Sequence, residues 1–304
     1  MKHIFCGLFI LVVVSCMREA MPVQDVTITL SAGDVLTRSS DPDETIITDY
    51  NLYIFNSLGF LEYRVYMPAR ELSGGSTTCT ARLLTDAPYI VFAAANLGYE
   101  LRLGSIQQAL EYRYHMAYPD EFSQGMPMSA YMGAAVVGKD AILDIPLERV
   151  MSRVDLSVDR RSLDDDVSIR ITSVQMCNTA SSVLLFSDSY VENWSQLFNE
   201  GYSKAGTQLY WLNHDTMEGI SGEVPFYILE NRFGGITESY IEVKADYHSA
   251  SCHTKPGESL IFRFYLNDDR DACRNVRYRI TLQPKGTGLE CTDGWRLDKS
   301  ALVY

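Results

Sequence analysis

The side chains that could carry catalysis are scattered along the chain and do not form a known catalytic motif. Residues 201–206 (GYSKAG) are similar to the Gly-x-Ser-x-Gly turn that exposes a nucleophilic serine. The second glycine comes one residue too late, however, and no strand pattern leads into the turn. His248 and His253 flank Cys252 without the spacing at which two imidazoles converge on a metal ion. These patterns favour a loop and isolated histidines over a catalytic or metal site.

Acidic residues cluster at positions where turns are expected. Residues 164–166 (DDD) and 267–269 (NDD) lie between strand-like segments, where turns favour Asp and Asn. Both lack the glycine and terminal glutamate of an EF-hand loop, so we expect solvated turns and no calcium site. A carboxylate pair for glycoside hydrolysis depends on a three-dimensional separation, so a hydrolase on a sandwich scaffold stays open. The sequence predicts no catalytic residue, no metal and no enzyme.

Cys16 is the one residue whose surroundings predict a definite chemical modification. A basic start and an apolar run of eleven residues, 4–14, precede Ser15 and Cys16. That run is too short to span a bilayer and fits the hydrophobic region of a signal peptide. Small residues before a cysteine at its end are typical of a lipoprotein signal, which is cleaved between Ser15 and Cys16. We therefore expect a lipid on Cys16, although an ordinary secretory signal is the alternative.

Composition limits what the rest of the chain could bind. The 304 residues carry a formal net charge of -13, and 46% of them are hydrophobic. This apolar content excludes a disordered chain. Removal of residues 1–15 takes away Lys2 and no acidic residue, so the charge becomes -14. An acidic chain without a basic patch repels phosphate backbones, so we expect no nucleic-acid partner.

The cysteines that remain do not predict a disulfide framework. Cys6 leaves with the signal and Cys16 carries the lipid. The five others are spread over more than two hundred residues, which favours buried thiols with one bridge at most. They are Cys79, Cys177, Cys252, Cys273 and Cys291.

Alternating apolar residues recur along the chain and predict strands. Val26, Ile28 and Leu30 share one face of the first strand, whereas residues 50–55 and 89–95 are apolar on both faces. We count about fourteen strands and one short helix that Ser105 caps. This pattern predicts an all-β chain with two antiparallel sandwiches in tandem. Residues 1–15 are the signal, 16–24 a tether, 25–146 the first sandwich and 147–304 the second, with a boundary near Pro146.

Several segments, taken in order, resemble the fimbrillin superfamily, the type V pilus subunits of Bacteroidetes. The similarity is closest to its lipoprotein members, the minor-fimbrium anchoring subunits, and extends over nearly the whole mature chain. Each motif is weak alone, and their order carries the resemblance. The segments are the lipobox at Cys16 and residues 51–59, 91–98, 126–129, 147–154, 226–231 and 274–278.

This resemblance implies two transthyretin-like sandwiches and assembly by strand exchange. In that scheme a stalk subunit loses its first strand through cleavage after an arginine in the next loop. A neighbouring subunit then supplies a strand to the vacated groove, where backbone hydrogen bonds and alternating side chains fix it. Here the first strand carries Val26, Ile28 and Leu30, and the loop after it carries Arg38.

The lipid on Cys16 predicts that this subunit keeps its first strand. Cleavage at Arg38 would separate the lipidated strand from the rest of the chain, so we expect Arg38 to remain uncut. The expected function is an outer-membrane, surface-facing anchor that ends a fimbria and binds its stalk subunit. Residues 289–304 are then the candidate donor strand, although a last core strand is the alternative. Its apolar residues are Trp295, Leu297, Leu302 and Val303.

Besides the sandwich hydrolase, two other functions remain open. A stalk or tip subunit would be processed at Arg38. A glycan-binding surface lipoprotein would instead need a flat platform of exposed aromatic side chains, for which Tyr112, Tyr114 and Tyr118 are the candidates. Apart from the covalent lipid, the sequence predicts no cofactor.

Overall fold

The computed structural model describes residues 23–32, 44–69, 72, 74–116, 125–138, 140–158, 167–188, 193–198, 202–203, 211–212, 224–232, 237–249, 258–266 and 271–282. Within these ranges the chain forms nineteen strands, one α-helix and a short 3-10 helix. The prediction of an all-β sandwich fold is confirmed. The strand count exceeds fourteen because several strands have only two or three residues, too few for alternation to reveal them.

The first half of the chain forms a seven-stranded sheet with a fold in its middle. The strand order is β3-β2-β5-β7-β8-β1-β4, and β7 meets β8 only at Met128↔Arg149 and Ser129↔Glu148. The sheet therefore divides there into two layers, which enclose the first core. The elements are β1 Val23–Ala32, β2 Tyr50–Asn56, β3 Leu61–Met67, β4 Ser76–Leu84, β5 Pro88–Ala95, α1 Ile106–Leu110, β6 Arg113–His115, β7 Met128–Val136 and β8 Ile142–Arg149.

The second half forms a sandwich of two sheets around its own core. One sheet has the order β14-β10-β17-β18, with β15 also on β10, and the other has the order β13-β11-β16-β9-β19. The elements are β9 Met151–Val158, β10 Val167–Cys177, β11 Thr179–Ala180, β12 Ser182–Leu184, β13 Leu197–Phe198, β14 Tyr202–Ser203, β15 Trp211–Leu212, β16 Val224–Leu229, β17 Tyr240–Ser249, β18 Glu258–Tyr265 and β19 Arg277–Leu282, with the 3-10 helix at Trp194–Gln196.

Two local features that the sequence predicts are present in the structure. Ser105 caps α1 by accepting a hydrogen bond from the Gln108 amide at 3.2 Å. In the sequence, the apolar residues of β10 change phase by one position between Ile171 and Val174, which predicts a β-bulge, and the structure has a register shift between Ile171 and Ser173 against β17. A β-bulge of this kind inserts one residue and moves the following side chains to the opposite face.

A third apolar cluster joins the two halves, and we call it the seam core. β2 and β5 are apolar on both faces because they serve two cores. Leu52 and Val91 face the first core, whereas Phe55 and Phe92 face the seam core. The second half contributes Val150, Met151, Ala180, Val183, Leu185, Phe186, Leu197 and Leu229 to the seam core.

Backbone pairing also crosses from one half to the other. β6 of the first half pairs antiparallel with β12 of the second half, from Ser182↔His115 to Leu184↔Arg113. β8 continues through Pro146 as far as Arg149, and β9 begins two residues later. The chain thus passes between the two sheet systems at Val150.

Candidate functional site

The first strand, β1, lies between two partner strands. It pairs antiparallel with β4 from Val23↔Leu84 to Ser31↔Ser76, and parallel with β8 from Thr27↔Ile142 to Ala32↔Leu147. β1 begins inside the segment predicted as a tether because its pairing with β4 extends back to Val23. We call the space that β1 fills between β4 and β8 the β1 groove.

Three side chains fix β1 in this groove. Val26, Ile28 and Leu30 each have 0% of their surface exposed, and they contact the core that both layers of the first half enclose. Full burial of such a side chain contributes about 1.5–3 kcal/mol, so the three together contribute roughly 5–9 kcal/mol. This is similar to the whole stability of a typical domain, about 5–15 kcal/mol. Loss of β1 would therefore require a replacement strand.

Two further backbone hydrogen bonds, outside the regular pairing between strands, hold β1 at Thr27 and Ala32, the two ends of its parallel pairing with β8. The Thr27 amide donates to the Ala141 carbonyl at 2.8 Å, and the Ala32 amide donates to the Gly75 carbonyl at 3.0 Å. In the described structure, β1 has backbone partners on both edges, so its groove is filled.

The second half repeats this three-strand arrangement around β9. β9 pairs antiparallel with β16 and parallel with β19 from Arg277↔Arg153 to Leu282↔Val158. Val154 and Leu156 are fully buried, like the apolar residues of β1. β1 and β9 differ in their place along the chain. β9 has described strands before and after it, whereas β1 is the first described element.

A largely buried group of charged side chains connects Glu44, which comes directly after residues 33–43, with residues 149–277 of the chain. We call it the arginine cluster, and it consists of Glu44, Arg149, Arg153, Asp155 and Arg277. Arg153 Nη1 donates to Glu44 Oε1 at 2.5 Å, and its Nε donates to Asp155 Oδ1 at 2.7 Å. Arg277 Nε donates to Asp155 Oδ2, and Tyr227 donates its hydroxyl proton to Glu44 Oε1 at 2.9 Å. Glu44 is thus fixed to the second half.

The segment 274–278, part of the family resemblance, has a structural role. Asn275 has a positive φ of 56°, and its amide donates to the Met151 carbonyl at 2.9 Å. Tyr278 is 1% exposed; its hydroxyl accepts from the Cys273 amide at 2.9 Å and donates to the Asp271 carbonyl at 3.2 Å. Arg274 binds the buried Glu230 carboxylate at 2.6 Å through Nη2. These contacts form a turn, and they explain the sequence pattern without a ligand.

The segment 96–98, also part of the resemblance, forms a second turn. The Asp49 carboxylate accepts from the amides of Leu97 at 3.2 Å and Gly98 at 3.0 Å. Asn96 adopts a positive φ of 59°, and its amide group donates to the Met126 carbonyl at 2.7 Å. Burial raises the pKa of Asp49 despite the two amide hydrogen bonds, which act in the opposite direction.

Most residues of the predicted anchoring site fall outside the described part of the chain. Val26, Ile28 and Leu30 of the first strand are described and buried together. The residues outside are the cleavage and lipidation pair Ser15 and Cys16, the loop residue Arg38, and the donor-strand residues Trp295, Leu297, Leu302 and Val303. Their modification, retention and strand donation stay predictions.

The tyrosines considered for glycan binding do not form an exposed platform where they are described. Tyr112 and Tyr114 are half-buried and pack against the seam core. The Tyr112 hydroxyl lies 3.1 Å from that of Tyr99. Tyr118 lies outside the described residues.

Three cysteines are described, and all three are free thiols: Cys79, Cys177 and Cys273. Burial raises the pKa of each thiol above its ordinary value. A raised pKa lowers the fraction of thiolate, the form that reacts with electrophiles and metals.

The described residues contain neither a group suited to a metal ion nor a membrane-spanning helix. In those ranges no group of three or more His, Cys, Asp or Glu side chains is placed to hold a metal ion. No helix among them is long and apolar enough to cross a membrane.

Comparison with known proteins shows similarity in fold but no match in sequence. No family model matches the chain, and no curated protein matches it. Its structure is similar to a candidate cell adhesion protein from Parabacteroides distasonis, with 15% sequence identity and a TM-score of 0.62. That alignment covers 87% of this chain and 89% of the other.

Two further similar structures come from Porphyromonas gingivalis. The tip fimbrial protein Mfa3, in a C-terminally truncated form, aligns at 10% identity and a TM-score of 0.58, over 87% of this chain and 96% of the truncated chain. The fimbrilin FimA aligns at 12% identity and a TM-score of 0.58, over 88% of this chain and 92% of FimA. These alignments confirm the fold that the sequence resemblance predicts, over both halves of the described chain.

Proposed function

We propose that this chain, which has the fold of the Bacteroidetes fimbrillins, is a lipid-anchored subunit at the base of a fimbria. It carries lipid on Cys16, resides on the outer membrane and binds a stalk subunit by strand exchange. The observation that carries the proposal is β1, the strand nearest the predicted lipid, which fills its own groove with Val26, Ile28 and Leu30 fully buried.

Because β1 fills the β1 groove, the subunit can act only as a strand donor at this position. A strand from another subunit cannot enter between β4 and β8 while β1 is paired on both edges. The subunit therefore donates a strand but does not accept one in this groove, and polymerisation ends at the membrane. The names of the similar structures, a tip fimbrial protein and a fimbrilin, support a place in such an assembly.

The arginine cluster supports the same role because it holds Glu44, which comes after residues 33–43, against the second half. Glu44 binds Arg153 and Tyr227 of the second half. The chain is therefore fixed before and after the predicted loop that contains Arg38, by β1 on one side and by Glu44 on the other. Mechanical force applied to the lipid would be transmitted through β1 to the folded domains, and the two halves are held together by their mutual contacts.

The first test is the state of the mature amino terminus. Intact-mass and peptide mass spectrometry of the protein from membranes should find an acylated chain that begins at Cys16 and continues through Arg38. Cys16→Ala should release the protein from the membrane fraction, whereas the matched variant Cys6→Ala should not. A mature chain that begins after Arg38 would contradict the anchor and support a stalk or tip subunit.

The second test concerns the stalk partner. Deletion of residues 289–304 should abolish copurification of fimbrillin-like chains from membranes, since these residues are the proposed donor strand. The matched control Lys299→Ala changes a polar residue of the same segment and should preserve copurification. Unchanged copurification after the deletion would overturn the donor assignment while leaving the lipid anchor to the first test.

A further inference from the structure

The strands of the first half share one end that lies opposite the crossing to the second half at Val150, and we call it the free end. β1, β3, β5 and β8 begin there, whereas β2, β4 and β7 end there. Pro88↔Val136 is the last pair of β5 and β7 at the free end, and Ala95↔Met128 is their last pair at the other. The free end and the crossing are thus separated by the full length of β5.

Two hydrogen bonds join the two layers at the free end. Leu84 of β4, which pairs with Val23 of β1, donates its amide to the Tyr89 hydroxyl of β5 at 2.8 Å. In the turn between these strands, the Asp86 amide donates to the Val137 carbonyl, directly after β7, at 2.9 Å. The strand ends of both layers are therefore held side by side.

Exposed apolar side chains are concentrated at the free end. Eleven large ones are exposed in the described part of the chain, and seven of the eleven lie at this end. Single exposed apolar residues are ordinary on a protein surface, whereas a concentration of them indicates a contact surface. The seven are Val23, Leu58, Phe60, Leu61, Leu84, Val136 and Ile142.

The turn between β2 and β3 holds two of these side chains in solvent. The Asn56 side-chain oxygen accepts hydrogen bonds from the amides of Leu58 and Phe60, both at 3.0 Å. Leu58 is 80% exposed and Phe60 is 66% exposed, at positions where turns ordinarily favour polar residues. These hydrogen bonds use only Asn56 and the backbone, so the turn does not depend on the two apolar side chains. Their exposure calls for a partner outside the described fold.

The charges of the free end do not suit an anionic partner. In the turns that join its strands, and within two residues of its strand ends, acidic residues outnumber basic ones. Such a surface repels phosphates and anionic lipid headgroups. A partner of the free end must therefore offer an uncharged, apolar region. The charged residues are Asp25, Glu62, Asp86, Asp140 and Asp144 against Arg82 and Lys139.

The length of chain before β1 ties the free end to the predicted lipid. Val23 comes seven residues after Cys16, and seven fully extended residues span at most about 25 Å. A lipid on Cys16 would therefore keep the free end within this distance of the membrane surface. The crossing at Val150 would lie on the side of the first half that is turned away from the membrane.

We propose that the free end contacts the membrane directly, with Leu58 and Phe60 inserted among the lipid chains. This inference rests on the proposed function, because the lipid on Cys16 supplies the tether. Insertion removes the two apolar side chains from water, and the gain is proportional to the apolar area that is buried. Since acidic residues predominate at this end, the contact needs neutral lipid and no anionic headgroup. It orients the subunit with its second half outward.

Quenching by brominated lipid tests the contact. The mature chain with Phe60→Trp is held by an amino-terminal hexahistidine tag on phosphatidylcholine vesicles that contain a nickel-chelating lipid. The fluorescence that this tryptophan adds should shift to shorter wavelength, and it should be lost when the phosphatidylcholine is brominated in its acyl chains. Ile261→Trp, at a 59% exposed position of β18 in the second half, is the matched control and should show neither change.

The tag takes the place of the lipid, so this result does not depend on acylation of Cys16. Equal fluorescence of Phe60→Trp on brominated and unbrominated vesicles would overturn the membrane contact and leave the lipid anchor to mass spectrometry.

Analytical ultracentrifugation tests a second copy of the chain as the occupant of the free end. The lipid-free mature chain and its double variant Leu58→Ser, Phe60→Ser should sediment alike, since the proposed partner is lipid. Ile261→Ser is the matched control. A dimer that the double variant dissociates and the control preserves would show that another subunit covers the free end, and would overturn the proposal.

Discussion

At the scale of single residues, Asp49 illustrates how buried polar groups fix the turns of this fold. Its carboxylate is 1% exposed and accepts hydrogen bonds from two backbone amides of the next turn. Burial opposes the charged form more strongly than the amides favour it, so the pKa is raised above its ordinary value. The folded state thus binds the Asp49 proton more tightly than the unfolded state does.

This shift predicts how stability depends on pH. An acid with a raised pKa stabilises the fold at low pH, and that contribution is lost as the pH rises from about 3.9, the unfolded value, through the folded pKa. Asp49→Asn removes the titration, so the free energy of unfolding of the wild type should fall relative to that of the variant over this window. Urea unfolding at several pH values measures the difference. A constant difference between pH 4 and 7 would contradict the raised pKa.

Tyr278 offers a second test at this scale. Its hydroxyl bridges the Cys273 amide and the Asp271 carbonyl, so Tyr278→Phe leaves both backbone groups without this partner. We expect a loss of about 1–3 kcal/mol in the free energy of unfolding. Tyr131→Phe is the control because Tyr131 is 46% exposed, and it should change stability little. Equal effects in urea unfolding would argue against a structural role for the bridge.

At the scale of elements, the alternation of apolar and polar residues predicted those strands that have one face in a core and the other at the surface. Val26, Ile28 and Leu30 were predictable as one buried face because their spacing matches the two-residue period of a strand. The short strands β6 and β12 were not predictable, since three residues carry no period. Their pairing links sequence positions about seventy residues apart, and nothing local encodes it.

The first strand provides the sharpest test of an element. Ile28→Ala removes a fully buried side chain and should lower the free energy of unfolding by about 2–5 kcal/mol. Thr29→Ala is its matched control, since Thr29 is the next residue of β1 and faces away from the first core. The control should change stability by much less, as measured in urea. Similar losses from both variants would show that β1 is not held by its apolar face.

At the scale of the whole molecule, the two sandwiches are bound to each other as well as linked in sequence. The seam core is the physical reason why β2 and β5 are apolar on both faces. The sequence pattern correctly showed that both strands are apolar on both faces, but it could not show what covers their second face. The arginine cluster was equally hidden, because Glu44 and Arg153 are more than a hundred residues apart and a lone charge in a sequence resembles a surface residue.

This coupling predicts that damage to the first half destabilises the second. Of the three tryptophans, Trp194 and Trp211 are described and lie in the second half, so in a Trp295→Phe background, which removes the one in the proposed donor strand, tryptophan fluorescence reports on that half alone. Ile28→Ala should therefore shift the urea midpoint of the fluorescence transition together with the far-ultraviolet circular dichroism transition, as in a single cooperative unit. If the halves unfolded independently, the fluorescence midpoint would stay at its wild-type value while the circular dichroism transition split in two. That outcome would contradict the coupling of the two halves by the seam core, and with it the proposal that the subunit carries force between the lipid and the stalk.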